Sequence, residues 1–245
     1  MPGLDLLFPF GPLDGLALGL LLAAWAGIGW HIEHPPAARP SVHRLMMRYR
    51  REWMVEMVTR QPRIFDSSVL AILREGTSFF ASATMIAIGG GLALVGDPSR
   101  IAVIAEDLGQ GAAPDIVWRE KLLLSILLLV SAFLNFVWSH RVFGYCAVVM
   151  ASVPNDPHHP AALPRAAKAA DLNITAARSF NRGVRGVYFA MAALAWLAGP
   201  LPLIAATAFT VVVLWRREFA SQSRLVALRP DEGADAGGSG SKGRG

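Results

Sequence analysis

The stretch VYFAMAALAWLAGPLPLIAATAFTVVVLW, residues 187–215, decides the fold of this chain. Its 29 residues carry no charge. As one straight α-helix they would extend about 44 Å, well beyond the ~30 Å hydrocarbon core of a bilayer. The sequence GPLP occupies 199–202 in the middle, where the prolines remove helical donors and clash with the preceding turn. Taken alone, the stretch fits either a single kinked helix or a hairpin of two short spans.

Three other segments are apolar enough to cross a membrane as helices. They lie at about 13–31, 76–96 and 119–139, and Trp118 and Trp138 flank the last one as in an interfacial aromatic belt. The chain is 53% hydrophobic and only 17% charged, whereas soluble domains carry about 25% charged residues. This composition is typical of a multi-pass membrane protein, and we predict a single membrane domain over 1–228.

The distribution of basic residues decides the number of spans. Segment 32–75 contains eight Arg, 139–186 contains six basic residues and the tail after 215 six more, but 97–117 contains one. Because basic segments stay in the cytoplasm, the tail lies on the correct side only if the chain crosses five times. We therefore predict an all-α polytopic bundle of about five spans, of which the last two, 183–198 and 201–217, form a Gly-Pro-x-Pro hairpin. The N-terminus is then outside and the C-terminus cytoplasmic.

The cytoplasmic segments are predicted to extend the bundle. Ser41 precedes apolar residues at helical spacing with arginines opposite, which predicts an amphipathic helix over about 42–61 that ends near Pro62. Asp66 and the two serines after it resemble the N-cap of the helix that becomes the second span. The Gly/Ser-rich end, 229–245, is predicted to be disordered.

An Arg-Arg-Glu triplet between aromatic residues occurs twice, as YRREWM at 49–54 and as WRREFA at 215–220. At a membrane surface, Arg meets anionic head groups, and Trp or Tyr favours the interface. We therefore interpret Arg50, Arg51, Arg216 and Arg217 as basic clusters that anchor the protein to anionic lipid. A basic vestibule over a conduction path is the alternative. Nucleic acid is not an expected partner, because membrane depth explains the aromatic residues better than base stacking does.

Polar residues inside the spans are the candidates for a functional lining, because such residues usually face the bundle or a water path. They are Ser82, Thr84, Ser131 and Asn135. Asn135 is the one amide in a predicted membrane core. Either a hydrogen bond to another helix or a role in lining a pore explains it.

No motif in the sequence predicts catalysis, a cofactor or a metal, so we do not expect an enzyme. The single cysteine, Cys146, excludes an intrachain disulfide. His31 and His34 have a spacing that can bind metal on a helix. Two prolines follow at once, and solvated residues at the membrane edge are the favoured interpretation. Arg supplies 20 of the 23 basic residues, which indicates a GC-rich bacterial genome and hence a bacterial inner membrane.

The order of several segments resembles a known family. They are LMMRYRREWM, SFFASATMIAIGGGLAL, the region from KLLLSILLLV to VVMASVP, SFNRGVRGVYFAMAALAWLAGP and LWRREFAS. Together they resemble DUF599, an uncharacterised family of membrane proteins from bacteria and plants, over about 12–225. The resemblance implies the helical membrane architecture and no activity. From the residues, we expect a homo-oligomeric channel- or transporter-like bundle, with a non-catalytic accessory or scaffold subunit of a larger membrane complex as the alternative.

Overall fold

The computed structural model describes residues 10–97 and 114–230, and within these ranges the chain is helical without any strand. The all-α fold class is confirmed. The helices are α1 (Pro12–Glu33), α2 (Val42–Thr59), α3 (Ile64–Gly96), α4 (Asp115–Ala151), α5 (Ala162–Leu194), α6 (Pro200–Phe219) and α7 (Gln222–Ala227). Most of the predicted outer loop at 97–117, and the predicted disordered tail from 231 onward, lie outside the described residues.

Ser41 connects the first two helices. Its hydroxyl accepts a hydrogen bond from the backbone N–H of Arg44 at 3.2 Å, which caps the first turn of α2. The same hydroxyl donates to the carbonyl of Ile32 at 2.9 Å, in the last turn of α1. One buried side chain therefore fixes the start of α2 against the end of α1.

The start of α3 corrects the sequence prediction. The helix begins at Ile64, with Arg63 as its N-cap, and not at the predicted signal two residues later. Asp66 is fully buried, and its Oδ1 accepts hydrogen bonds from Trp53 Nε1 at 2.7 Å and from Arg60 Nη1 at 2.5 Å. Its carboxylate is thus used to hold α2 and not to cap α3. From the sequence alone, a carboxylate that caps its own helix cannot be distinguished from one that accepts hydrogen bonds from another part of the chain.

Helices α4 and α5 form the central pair, and they run antiparallel. Three side chains of α4 donate to backbone carbonyls of α5 in reverse order: Ser125 to Ala190 at 2.7 Å, Ser139 to Ala176 at 2.7 Å, and Cys146 to Ala169 at 3.3 Å. Glycine makes this close approach possible. A Cβ at Gly183 would lie 2.6 Å from Cε1 of Phe136.

The chain reverses direction after α5. A short 3₁₀ turn, Ala195–Ala198, follows α5, and Gly199 then adopts φ 108°, a value that favours glycine. Pro200 starts α6 at a position where the missing N–H costs no hydrogen bond. Near the far end of α6, Arg217 donates to the hydroxyl of Tyr188 in α5. The break therefore falls at the GPLP sequence, and α6 turns back along α5.

The outer surface of the bundle is apolar. Large exposed side chains occur on every long apolar helix, among them Trp30 at 66%, Ile86 at 75%, Leu127 at 64% and Phe209 at 70% of their full exposure. Within the described residues, three helices, α1, α3 and α4, are long and apolar enough to cross a membrane. The predicted count of about five spans is not confirmed. Arginines lie at 182 and 185 in α5 and at 216 and 217 in α6, so the uncharged part of each helix is short.

Candidate functional site

Glu33, the last residue of α1, lies at the centre of an ionic cluster. Arg182 of α5 binds its carboxylate with both Nε, at 2.8 Å, and Nη2, at 2.5 Å. Arg185 donates to the same carboxylate from Nη2 at 2.6 Å. The side chains of Glu33 and Arg185 are each only 8% exposed, whereas that of Arg182 is 52% exposed. We call these three residues the Glu33 cluster, and it carries one net positive charge.

The register of α5 sets the position of the two arginines. Gly183 and Gly186 face α4, where a Cβ on Gly186 would lie 3.0 Å from the Cβ of Ala132. Residues one or two positions away on the helix therefore point to the sides of that contact. Arg182 and Arg185, three residues apart, share the side that meets the end of α1.

His43, in the first turn of α2, is buried beside this cluster. Its backbone N–H donates to Oε2 of Glu218 at 3.1 Å, and its Nδ1 lies 3.2 Å from the amide nitrogen of Asn181. With Nδ1 accepting from that amide, Nε2 carries the proton of the neutral ring. Nε2 is buried and has no hydrogen-bond partner among the described residues. An unsatisfied buried donor of this kind is uncommon in folded proteins.

Burial is the main reason why the pKa of His43 is lowered from 6.5 to about 4. Glu33 raises this pKa, and Arg185, Arg178 and Arg50 lower it further. The imidazole is consequently neutral at physiological pH and presents an N–H donor rather than a charge. Burial also raises the pKa of Glu218, against the hydrogen bond from the His43 backbone.

Arg50 of α2 reaches into the helix bundle. Its Nη1 donates to Oδ1 of Asn173, a fully buried residue of α5. The amide of Asn173 in turn lies 3.8 Å from the sulfur of Cys146 on α4. Burial lowers the pKa of Arg50, yet a guanidinium keeps its charge in proteins. A fixed positive charge therefore lies between three helices.

Two cavities adjoin at Arg50. The first, which we call the His43 cavity, has a volume of about 230 Å³ and lies between α2, α5 and α6; its polar lining consists of His43, Arg50, Asn181 and Glu218. The second, the Phe180 cavity, has about 240 Å³ and reaches toward α3 and α4. Arg50, Ala177 and Asn181 line both of them. The side chains that line both cavities offer more hydrogen-bond donors than acceptors, which suits a bound anionic group.

A third cavity shares no lining residue with these two. It has a volume of about 290 Å³, and we call it the Glu33 cavity. All three residues of the Glu33 cluster line it, together with Asn135 and residues of α1 that include Trp25 and Trp30. The Glu33 cluster therefore lines a polar cavity that is distinct from the His43 cavity.

The four arginines of the predicted basic clusters differ in their surroundings. Arg50 points inward, as described. Arg51 is exposed, 3.6 Å from the carboxylate of Asp171, and Arg216 is exposed as well. Arg217 is exposed and lies over the ring of Tyr188, 5.4 Å from its centroid. Anchoring to anionic lipid stays a prediction for the three exposed arginines, and Arg50 belongs to the interior.

The predicted intramembrane polar residues also differ from one another in exposure and in hydrogen bonding. Ser82 is exposed on α3, whereas Thr84 is buried and donates to the carbonyl of Phe80 in its own helix at 2.7 Å. Ser131 is half-buried. Asn135 donates to the carbonyl of Ser131 at 2.9 Å, within α4, and lines the Glu33 cavity. Its hydrogen bond is thus within one helix, unlike the interhelical bond considered from the sequence.

The histidines that follow α1 have aromatic neighbours. His31 packs against Phe219 with ring centroids 5.0 Å apart, and His34 stacks on Trp30 at 5.4 Å. In the described parts of the chain, no three His, Cys, Asp or Glu side chains are arranged to hold a metal ion.

Sequence reasoning did not single out His43, Asn173 or Asn181, or the arginines of α5, as site residues. A signal was nevertheless present. The sequence SFNRGVRG, 179–186, places polar side chains and two glycines next to an uncharged span. Polar residues beside a small-residue helix contact face the interior of a bundle more often than lipid.

These features define a class: an all-helical bundle with membrane-compatible helices and cationic cavities at one end. Residues 16–223 match the family model "Protein of unknown function, DUF599". The chain belongs to this family, as the order of its segments indicated. No curated protein and no solved structure matches the chain.

Proposed function

We propose that this protein is a channel- or transporter-like membrane protein that binds a small anionic solute in the His43 cavity. One observation carries the proposal: two adjoining cavities share Arg50 and Asn181, and one of them is lined by His43, whose buried Nε2 has no hydrogen-bond partner in the described residues. We assign no catalytic residue, cofactor or metal to the site.

The donors around the His43 cavity suit a carboxylate or another small oxyanion. Arg50 supplies a permanent charge, and its planar guanidinium can bind two oxygens at once. His43 Nε2 supplies a neutral donor. Glu218 is the one carboxylate among the described residues of the lining, and it already accepts from the backbone of His43. A bound anion therefore accepts hydrogen bonds from the donors of the cavity, whereas the positive charge of Arg50 repels a cation.

Polar side chains at both ends of the bundle support five crossings. Glu33 and Glu218 lie at one end. At the other end, Trp196 Nε1 donates to Asp14 at 2.7 Å, and the Lys121 ammonium lies 5.8 Å from the ring centroid of Trp196. Along α1, Asp14 and Glu33 are about 28 Å apart, close to the ~30 Å of a bilayer core. We infer that α1, α3, α4, the second half of α5 and α6 cross this layer.

Reporter fusions test this topology. We place the protein in a bacterial inner membrane with its N-terminus outside. A reporter that works only in the cytoplasm is expected to be active after Arg217, and one that works only outside is expected to be active at Gly109. The opposite result at Arg217 would remove the α5–α6 hairpin as a pair of spans.

Flux into liposomes tests the solute site. Purified protein is reconstituted, and uptake of a panel of carboxylates and inorganic anions is compared for wild type, Arg50→Gln and Arg51→Gln. Loss of one charge-assisted hydrogen bond weakens binding roughly 10- to 100-fold, so we expect Arg50→Gln to reduce uptake of the transported anion. Arg51→Gln, which changes an exposed charge one residue away, is the matched control. Equal effects in both variants would contradict the assignment.

The exposed face of α3 favours assembly. In the apolar part of α3, 6% of the residues are buried, and Ser82 and Gly89 are exposed among apolar side chains. We propose that α3 packs against a second copy of the chain. A non-catalytic accessory subunit of a larger complex is the second candidate, since the same face suits another protein. A discrete homo-oligomer in detergent supports the first, and a monomer that co-purifies with one stoichiometric partner supports the second.

A further inference from the structure

Two cavities with walls from α1 and α4 lie one after the other along these helices, and we call the pair the cleft between α1 and α4. The Glu33 cavity occupies the end near Glu33 and Asn135. A second cavity of about 440 Å³, which we call the Leu127 cavity, lies further along the same two helices. Its wall is mostly apolar, with Leu18 of α1 and Leu124 and Leu127 of α4; Asp14 and Glu120 stand at its outer end.

The two ends of this cleft differ in chemistry. At the Glu33 end, two guanidinium groups face one carboxylate, which leaves a positive charge, and Arg182 is half exposed there. Trp30, 66% exposed, and the half-buried Trp25 line the same cavity. Trp and Arg together are typical of the head-group region of a membrane.

The distances suit one amphiphilic molecule. Asn135 and Leu127 are eight residues apart on α4, which is about 12 Å along the helix axis. One leaflet contributes about 15 Å, half of the bilayer core. A chain that starts at the Glu33 cavity therefore reaches the Leu127 cavity within its own leaflet.

We propose that the cleft between α1 and α4 binds an anionic phospholipid, with its phosphate at Arg182 and an acyl chain along Leu127. The charge of the Glu33 cluster selects the anionic head group, and the apolar wall selects a molecule with a tail. This site shares no lining residue with the His43 cavity and does not depend on the proposed solute transport.

Native mass spectrometry of the detergent-solubilised full chain tests the lipid site. The protein is titrated with phosphatidylglycerol, with phosphatidylcholine, and with inorganic phosphate, which has no tail. We expect adducts with phosphatidylglycerol at lower concentration than with phosphatidylcholine, and no retained phosphate. Equal binding of the two lipids, or retention of phosphate alone, would overturn the proposal.

Two matched pairs of variants locate the site. Arg182→Gln is expected to weaken phosphatidylglycerol binding about fivefold, the value of one charge at a membrane surface, whereas Arg216→Gln removes an exposed charge and leaves binding unchanged. Ala26→Phe fills the Glu33 cavity, while Gly27→Phe, at nearly the same depth, points away from both cavities. If Ala26→Phe binds as wild type does, or if Gly27→Phe loses as much binding, the cleft is not the site.

Discussion

Replacing Glu33 by Gln is expected to destabilise the bundle, because Arg185 keeps its buried charge and loses the carboxylate. Both side chains of this pair are 8% exposed, and removing one partner of a buried ion pair costs about 3–5 kcal/mol. Arg182 is half exposed and regains water, so its lost contact adds little. Gln also keeps the volume and one carbonyl acceptor. We therefore expect about 3 kcal/mol, the lower end of the range.

Thermal unfolding in detergent measures this effect. For a chain of this size, about 3 kcal/mol corresponds to a fall in Tm of roughly 6–12 °C. Asp171→Asn is the matched control, since it also replaces an acid by its amide. Its partner Arg51 is 3.6 Å away, and both side chains are more than half exposed, so the loss is at most about 0.5 kcal/mol.

A double-mutant cycle with Arg185→Gln decides whether the ion pair is the cause. If the two groups act through each other, the double variant loses less stability than the sum of the single variants, by about 0.5–3 kcal/mol. Strictly additive losses, or a Tm for Glu33→Gln equal to that of Asp171→Asn, would refute the reasoning.

Three further outcomes are expected. The pKa of His43 is about 4 in the folded protein, against 6.5 for an unperturbed histidine. The unfolded chain therefore binds the proton more tightly, and stability that is present above pH 6.5 is lost as the pH falls toward 4. A plot of Tm against pH that is equally steep for His43→Gln would contradict this. Arg50→Lys is expected to cost about 1.5–3 kcal/mol, because Lys loses the geometry of the buried hydrogen bond, while Arg51→Lys changes stability by less than about 0.5 kcal/mol; unfolding in denaturant compares them. Gly183→Ala inserts a methyl group at 2.6 Å from an aromatic carbon and is expected to cost about 1–3 kcal/mol. Gly144→Ala, with open space at its Cβ, does not destabilise, and similar losses in both would show that the close helix approach is not the cause.

The features of the fold that the sequence predicts correctly depend on interactions between residues that are close together in the chain. Ser41 caps α2 by accepting a hydrogen bond from the N–H three residues further along, and Gly199 with Pro200 ends one helical segment and starts the next. Both effects act within one turn of the chain, so a pattern in the sequence reveals them. Asp66 shows the limit of such patterns, because the group that satisfies its carboxylate lies on another helix.

The candidate site depends on distant contacts instead. Glu33 and Arg182 are 149 residues apart in sequence, and His43 and Glu218 are 175 apart. No periodicity links such residues, and each one alone resembles a solvated charge at a membrane edge. Arg50 and Arg51 make the same point: they are neighbours of one type, and only the rotation of α2 turns the first inward and the second outward.

Helix α5 extends without interruption from Ala162 to Leu194, a length of about 50 Å. Its first half carries Asn173, which contacts the amphipathic helix α2, and its second half packs against α4. A continuous helix has no loop at which its two halves can move independently, so a displacement of α2 at Asn173 also displaces the second half of α5. The packing of α2 is thereby coupled directly to the contact between α4 and α5.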